Sequence, residues 1–83
     1  MKVRVRYFAS LREALGSGEV VDAAEGSTIA QLRDGLIARG GPHAQALARG
    51  RAVRTALDQT LCDEAQRLHD GAELAFFPPV TGG

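Results

Sequence analysis

One amphipathic helix set among short strands is the feature that most restricts how this chain can fold. Ile29, Leu32, Leu36 and Ile37 recur at helical spacing and form a single apolar stripe. A lone helix of roughly three turns can bury such a stripe only against one face of a sheet. The sequence therefore predicts an α+β fold in which one main helix covers a mixed sheet.

Short strands are predicted at both ends of the chain and between them. Residues 2–8 alternate apolar and polar side chains, as in a half-buried strand, and residues 72–77 are strongly apolar. The second pattern favours a central strand with a neighbour on each side. Residues 19–24 and 51–57 are further strands, so four or five are expected. In the β-grasp, or ubiquitin-like, version of this plan the first and last strands lie side by side.

Two capping patterns predict where helices begin. Ser10 followed by Glu13, and Thr28 followed by Gln31, each match a capping box, in which two side chains satisfy backbone N–H groups at the helix start. The first predicts a short helix over residues 11–15. The second predicts the beginning of the main helix.

The second half of the chain carries weaker signals. Gly40-Gly41-Pro42 ends the main helix, because glycine and proline continue a helix poorly. Residues 42–49 are compatible with a helical turn or with a loop. Asp58-Gln59 has the composition of a turn. After it, Leu61 and Leu68 are expected to anchor a long irregular connection.

Size and charge exclude some classes of function. The 83 residues make one domain, too small to enclose a deep catalytic pocket of its own. Ten Lys or Arg residues balance ten Asp or Glu residues, whereas nucleic-acid binders usually have a basic excess. The first residues do not match a signal peptide, and no apolar run approaches the ~20 residues of a membrane helix. The lone Cys62 indicates a reducing compartment. We therefore expect a cytoplasmic protein with no nucleic-acid or membrane partner.

Side chains with chemical potential do not form a recognisable active site. Cys62 lacks a second cysteine or a neighbouring histidine, which favours a structural role. His43 and His69 have no companions at metal-ligand spacing, so we expect surface roles for both and no metal or cofactor bound by this chain. Phe76 and Phe77 are adjacent on a strand and point to opposite faces. One should enter the core, and the other is a candidate interface anchor.

The last six residues, Pro78–Gly83, differ from an ordinary frayed chain end. The two prolines favour an extended conformation, and six extended residues reach up to ~20 Å. The two glycines have no side chain and can enter a narrow channel. A glycine carboxyl is also an accessible acyl group, which ATP can activate as an acyl-adenylate for attack by sulfur or an amine. We expect residues 1–77 to form the domain and residues 78–83 an extended tail, with Gly83 as the reactive group.

The tail and several upstream residues resemble one known family. A leucine, an Asp-Gly turn, a strand ending in aromatics and then Pro-Pro-Val-Thr-Gly-Gly are similar to the small-subunit family of molybdopterin synthase, whose members are ubiquitin-like sulfur carriers. The likeness covers nearly the whole chain, and the tail is its most specific part. One departure is Asp58, where the family often has Asn. The residues that carry the resemblance are Tyr7-Phe8-Ala9, Arg12-Glu13, Gly16, Thr28, Leu32-Arg33 and Leu68–Gly83.

The resemblance implies a β-grasp fold and a role in molybdenum cofactor biosynthesis. Gly83 would be adenylated by a ubiquitin-activating-type adenylyltransferase that consumes ATP, and sulfur from a persulfide would convert it to a thiocarboxylate. The large synthase subunit, in a heterotetramer of two small and two large subunits, would use this sulfur on cyclic pyranopterin monophosphate. The chain is thus expected to be a sulfur donor that is not catalytic alone. Residues expected to contact the large subunit are Phe77, Pro78, Pro79, Val80, Thr81 and Gly82.

Three alternatives remain open. Carriers for thiamine thiazole synthesis share the fold and the Gly-Gly end, although those relatives are shorter and lack Pro-Pro-Val-Thr. A ubiquitin-like protein modifier would join Gly83 to a lysine through an isopeptide bond. A non-catalytic interaction module would keep its function after deletion of Gly83.

Overall fold

A single mixed sheet and three short helices make up residues 1–79, the part of the chain that the computed structural model describes. The five strands have the order β2-β1-β5-β3-β4. Strand β5 is central, parallel to β1 and antiparallel to β3, which confirms the α+β fold and the predicted pairing of the first and last strands. The elements are β1 (Lys2–Tyr7), α1 (Ser10–Leu15), β2 (Gly18–Asp22), α2 (Ile29–Ile37), α3 (Gly41–Leu47), β3 (Arg54–Leu57), β4 (Thr60–Cys62) and β5 (Glu73–Phe77).

The core lies between one face of the sheet and the helices. On β1 the apolar side chains are buried and the basic side chains are exposed, as the alternation predicts. The main helix α2 buries its apolar stripe against this face, and β5 contributes the residues that alternate toward the helices. Within the described residues, no helix covers the opposite face of the sheet. The largest fully buried side chains are Tyr7, Phe76, Ile29, Leu36, Leu47, Leu74, Val3 and Val5.

The two predicted capping boxes have different outcomes. At α2 the box is present, because Gln31 N donates to Thr28 Oγ1 at 3.3 Å and Thr28 N donates to Gln31 Oε1 at 2.9 Å. At α1 the prediction is wrong. The N-cap there is Ala9, with φ 54°, and Ser10 is already helical and makes no capping hydrogen bond. The chain turns into α1 one residue earlier than the Ser-x-x-Glu pattern implies, through the backbone alone.

Residues 42–49, which the sequence left undecided, belong largely to helix α3. Gly40 is its N-cap with φ 76°, and Pro42 lies in its first turn, where a proline costs no hydrogen bond. The Gly-Gly-Pro segment therefore separates two helices and begins the second. No helix within residues 1–79 is long and apolar enough to span a membrane.

A short strand, β4, occupies part of the segment predicted to be an irregular connection. Asp58 and Gln59 have φ of 49° and 69°, as in the two-residue turn of a tight hairpin, and they join β3 to β4. Leu61 is 64% exposed, so it does not anchor the connection, whereas Leu68 is buried as expected. Three residues are too few for a period-two pattern to be recognised, which explains the missed strand. Strand β3 is also shorter than predicted, beginning at Arg54.

Candidate functional site at the end of the central strand

The central strand β5 ends at Phe77, and Pro78 and Pro79 follow it. Phe76 is fully buried in the core, whereas Phe77 is half-buried on the opposite face of the sheet. The two adjacent phenylalanines thus divide between core and surface, as the sequence predicts. Pro78 and Pro79 are both half-buried. The other predicted site residues, Val80, Thr81, Gly82 and Gly83, lie outside the described residues.

The uncovered face of the sheet carries an apolar row beside this end of β5. The strand register places Ala75 between Arg6 on β1 and Ala56 on β3, and Ala56 pairs in turn with Leu61 on β4. Because the two alanines are small, they do not cover the side chain of Leu61, which is 64% exposed. An isolated exposed leucine needs no explanation, but this one shares a face with other exposed apolar groups.

We define the open-face patch as Arg6, Phe8, Arg54, Leu61 and Phe77. Arg54 is the register partner of Phe77, and the guanidinium carbon of Arg6 lies 5.5 Å from the centre of the Phe8 ring. Within residues 1–79 neither arginine has a carboxylate within 4.0 Å. Aromatic residues and arginine are enriched at protein interfaces. The patch therefore has the chemistry to dock a partner that presents apolar and acidic groups.

Sequence reasoning identified Phe77 as a contact residue but missed Phe8, Arg54 and Leu61 of this patch. Leu61 was expected to anchor an irregular connection because β4 was not recognised. Treating Asp58-Gln59 as a hairpin turn would have placed Leu61 opposite Ala56, on the face away from the core. Phe8 was treated only as the end of a strand. Its alternation with Tyr7, which is buried, was a usable sign that Phe8 lies on the outer face.

A second polar cluster surrounds Glu19 on the helix side of β2. The Tyr7 hydroxyl donates to Glu19 Oε2 at 2.9 Å, His43 Nε2 lies 3.1 Å from the same oxygen, and Arg39 pairs with Oε1. Burial, followed by the bond to Glu19, raises the pKa of Tyr7. Burial alone would raise the pKa of Glu19, but the hydrogen bonds from Arg39, His43 and Tyr7 together lower it. The cluster joins β1, β2 and the α2–α3 region, so its role is structural.

The remaining chemically reactive residues stay apart from one another. His69 is exposed, and its Nε2 lies 2.6 Å from Asp58 Oδ2, which raises the pKa of His69. His43 is half-buried in the Glu19 cluster. Cys62 is half-buried and packs against the edge of the core. Within residues 1–79 no three His, Cys, Asp or Glu side chains are arranged to hold a metal ion.

Comparison with known proteins places the chain among small sulfur carriers and modifiers. It is 41% identical to the molybdopterin synthase sulfur carrier subunit of Escherichia coli, with 98% of this chain and 99% of that protein covered. Identity to the subunit of the same name in Haemophilus influenzae is 36%, with the same coverage. Identity to small archaeal modifier protein 3 of Haloferax volcanii is 34%, with both chains fully covered.

The chain is also similar to solved structures of the same group of proteins. The chain is 27% identical, with a TM-score of 0.71 and full coverage of both chains, to a structure of the complex between subunits 1 and 2 of the molybdopterin-converting factor from Helicobacter pylori. It is 26% identical, with a TM-score of 0.80, to a putative molybdopterin converting factor subunit 1 from Pyrococcus furiosus, covering 96% of this chain and 99% of that one. The architecture is thus that of the ubiquitin-like β-grasp carriers. The family model described as the ThiS family matches residues 5–83, so this chain belongs to the ThiS family.

Proposed function

We propose that this chain is the sulfur carrier subunit of molybdopterin synthase and that Gly83 carries the sulfur as a C-terminal thiocarboxylate. The observation that carries the proposal is the position of Pro78 and Pro79, the described residues at the base of the tail. They follow the central strand β5, next to an apolar and basic patch on the open face of the sheet. The names of the two bacterial relatives, which match over nearly the full chain, support the same function.

The proposed partner is the large subunit of the synthase. The Helicobacter pylori neighbour was solved as a complex of subunits 1 and 2, which supports an assembly of this type, and we propose two small and two large subunits. In this assembly the open-face patch docks on the large subunit. Phe77, Pro78 and Pro79 contact it at the base of the tail, and residues 80–82 enter the channel that leads to the substrate.

In this proposal, partner proteins carry out the chemical steps, and the chain supplies the Gly83 carboxyl group on which they act. A separate adenylyltransferase transfers AMP from ATP to the Gly83 carboxylate, releasing pyrophosphate. The outer sulfur of a persulfide then displaces AMP to form an acyl disulfide, and a thiol cleaves this S–S bond, which releases the Gly83 thiocarboxylate and leaves a disulfide. The large subunit passes this sulfur to cyclic pyranopterin monophosphate. The chain's own contribution is positioning, because β5 is held on both sides by β1 and β3 and gives the tail a fixed origin. We assign this chemistry to the cytoplasm, which the single cysteine supports.

The test is an intact mass measurement after incubation with ATP, the cognate adenylyltransferase, a persulfide donor and a thiol reductant. The expected gain equals the replacement of one oxygen by sulfur, and deletion of Gly83 should abolish it. Addition of the large subunit and cyclic pyranopterin monophosphate should return the mass to that of the carboxylate. An unchanged mass, with an activating enzyme that charges another carrier, would refute the proposal.

A second candidate function is protein modification, which the likeness to small archaeal modifier protein 3 favours. It would use the same adenylated Gly83, with a lysine amine in place of sulfur as the nucleophile. Digests of cell extract can distinguish the two roles, because modification would leave the end of the tail attached to lysine side chains. Absence of such conjugates, together with thiocarboxylate formation, would leave sulfur transfer alone.

A further inference from the structure

A groove lies between the edge strand β2 and helix α2. It encloses about 550 Å³ and is separate from the open-face patch. One wall is the end of β2 and the turn after it, residues 21–27. The other wall is the face of α2 that carries Gln31, Gly35 and Arg39, and the buried side chains of Leu32 and Leu36 form the floor.

The β2 wall presents unpaired backbone groups. Ala23 N donates to Met1 O, and Tyr7 N donates to Ser17 O, so the odd-numbered residues of this strand bond to β1. Hydrogen-bonded and non-bonded pairs alternate in an antiparallel ladder, so the N–H and C=O groups of Gly18, Val20 and Asp22 point outward. Within residues 1–79 no strand pairs with this outer edge. Such an edge is a template for another strand.

A glycine in the last turn of α2 keeps the groove open. Gly35 lies within the helix, where glycine is less favourable than alanine. A Cβ at this position would meet nothing within 4 Å, so packing does not require a glycine there. Its φ is also not in the positive range that would favour glycine. Any larger side chain would instead project into the groove.

Strand β1 pairs with the inner edge of β2. Its side chains indicate what kind of strand the outer edge of β2 would bind. Strand β1 directs valines toward the helices and basic side chains toward the open face, where Lys2 Nζ lies 2.7 Å from Asp22. The groove end also carries Glu25, which is 87% exposed. A second copy of β2 would be a poor match, since β2 contains two acidic residues, Glu19 and Asp22, and no basic one.

We propose that the β2–α2 groove binds an extended, basic segment of another protein, which adds to the sheet as a sixth strand beside β2. Alternate apolar side chains of the segment lie in the groove over Gly35, and the intervening Lys or Arg side chains face Asp22 and Glu25. This is the β-augmentation mode of peptide recognition. The end of β5 lies on the far side of β1, level with Gly18 at the other end of β2, so this partner binds without covering the base of the tail.

The test uses the full chain, labelled with ¹⁵N, and a synthetic peptide of about seven alternating valine and lysine residues, slightly longer than a typical strand. Saturable binding should shift the amide signals of residues 18–27 and 35–39 and slow hydrogen exchange at the Val20 and Asp22 amides. The variant Gly35→Leu, whose helix is expected to be more stable, should weaken binding at least about tenfold. A matched peptide with glutamate in place of lysine should not bind.

Several outcomes would overturn the proposal. These are no saturable binding of the basic peptide, equal binding of the acidic peptide, unchanged binding to Gly35→Leu, or shifts centred on Arg6 and Leu61 instead of β2. Protection of the Val20 amide in the unliganded chain, with a dimer in sedimentation, would make a second copy the occupant. Thiocarboxylate formation at Gly83 does not depend on peptide binding to the groove. Failure of this binding test and failure of the proposed function are therefore distinguishable.

Discussion

Arg33 Nη1 lies 2.7 Å from Glu64 Oε2, although the Arg33 side chain is only 4% exposed. The same guanidinium donates from Nε to the carbonyl of Leu47 and from Nη2 to that of Ala48, each at 2.9 Å. These carbonyls belong to the end of α3, where a helix leaves acceptors without partners. One side chain of α2 thus joins α3 to the connection that precedes β5.

This arrangement predicts unequal effects for two arginines that share Glu64. Arg49 Nη1 lies 2.6 Å from Glu64 Oε1, but its side chain is 46% exposed. Arg33→Met should lower the free energy of unfolding by about 3 kcal/mol, because it leaves buried carbonyls unpaired and breaks a buried ion pair. Arg49→Met should cost less than about 1 kcal/mol, as exposed pairs do. Urea unfolding measures both, and equal losses would contradict the assigned role of burial.

Two glycines should respond to alanine with opposite signs. A Cβ on Gly18 would come within 2.3 Å of the Val5 carbonyl oxygen, so β1 and β2 would have to separate. We expect Gly18→Ala to destabilise the fold by about 1–3 kcal/mol, as overpacking does. Gly35→Ala meets open space in a helix and should stabilise by about 0.4–1 kcal/mol. Thermal unfolding of both variants would test this, and a destabilised Gly35→Ala would show that the groove wall is misassigned.

How far the sequence predicts this molecule depends on the length of each element. Strand β1 is long enough to show alternation of apolar and polar side chains, and helix α2 is long enough to show an apolar stripe. Their buried faces were therefore predictable. Strand β4 has three residues, and α1 begins through the backbone of Ala9 instead of a side-chain cap. Local pattern carries little information about either.

The candidate site divides in the same way. The tail from Pro78 onward is recognisable from residue type and order alone. The open-face patch is not, because only the register of four strands places Arg6, Leu61 and Phe77 on the same face of the sheet. The β2–α2 groove is likewise invisible in sequence, since Gly35 has meaning only once the space beside it is known.

The Glu19 cluster predicts a stability plateau with losses at both pH extremes. The folded-state pKa of Glu19 is lowered, so its contribution is complete above the unfolded value of about 4.3 and is lost as pH falls through the folded value. The pKa of Tyr7 is raised, so its contribution is present below about pH 10 and is lost as pH rises through the folded value. Urea unfolding as a function of pH should show both slopes.

Two variants test whether Glu19 and Tyr7 cause the acid and alkaline losses of stability. Glu19→Gln should flatten the acid slope, and Tyr7→Phe should flatten the alkaline slope, while Glu13→Gln, on exposed α1, serves as the control for the acid limb. If Tyr7→Phe left the alkaline slope unchanged, the bond between the Tyr7 hydroxyl and Glu19 would not contribute to stability.

The open-face patch predicts a difference between two equally exposed apolar residues. Leu61 is 64% exposed and Val20 is 62% exposed, and both lie on exposed sheet surface, but only Leu61 belongs to the patch. Leu61→Glu should weaken binding to the large subunit at least about tenfold, because a charge would be buried against an apolar contact on the same face of the sheet as Phe77. Val20→Glu should bind as the unaltered chain does. Both variants should keep the stability of the parent, since neither side chain is in the core. Calorimetric titration of the large subunit measures the difference, and equal affinities for the two variants would exclude the patch as the docking surface.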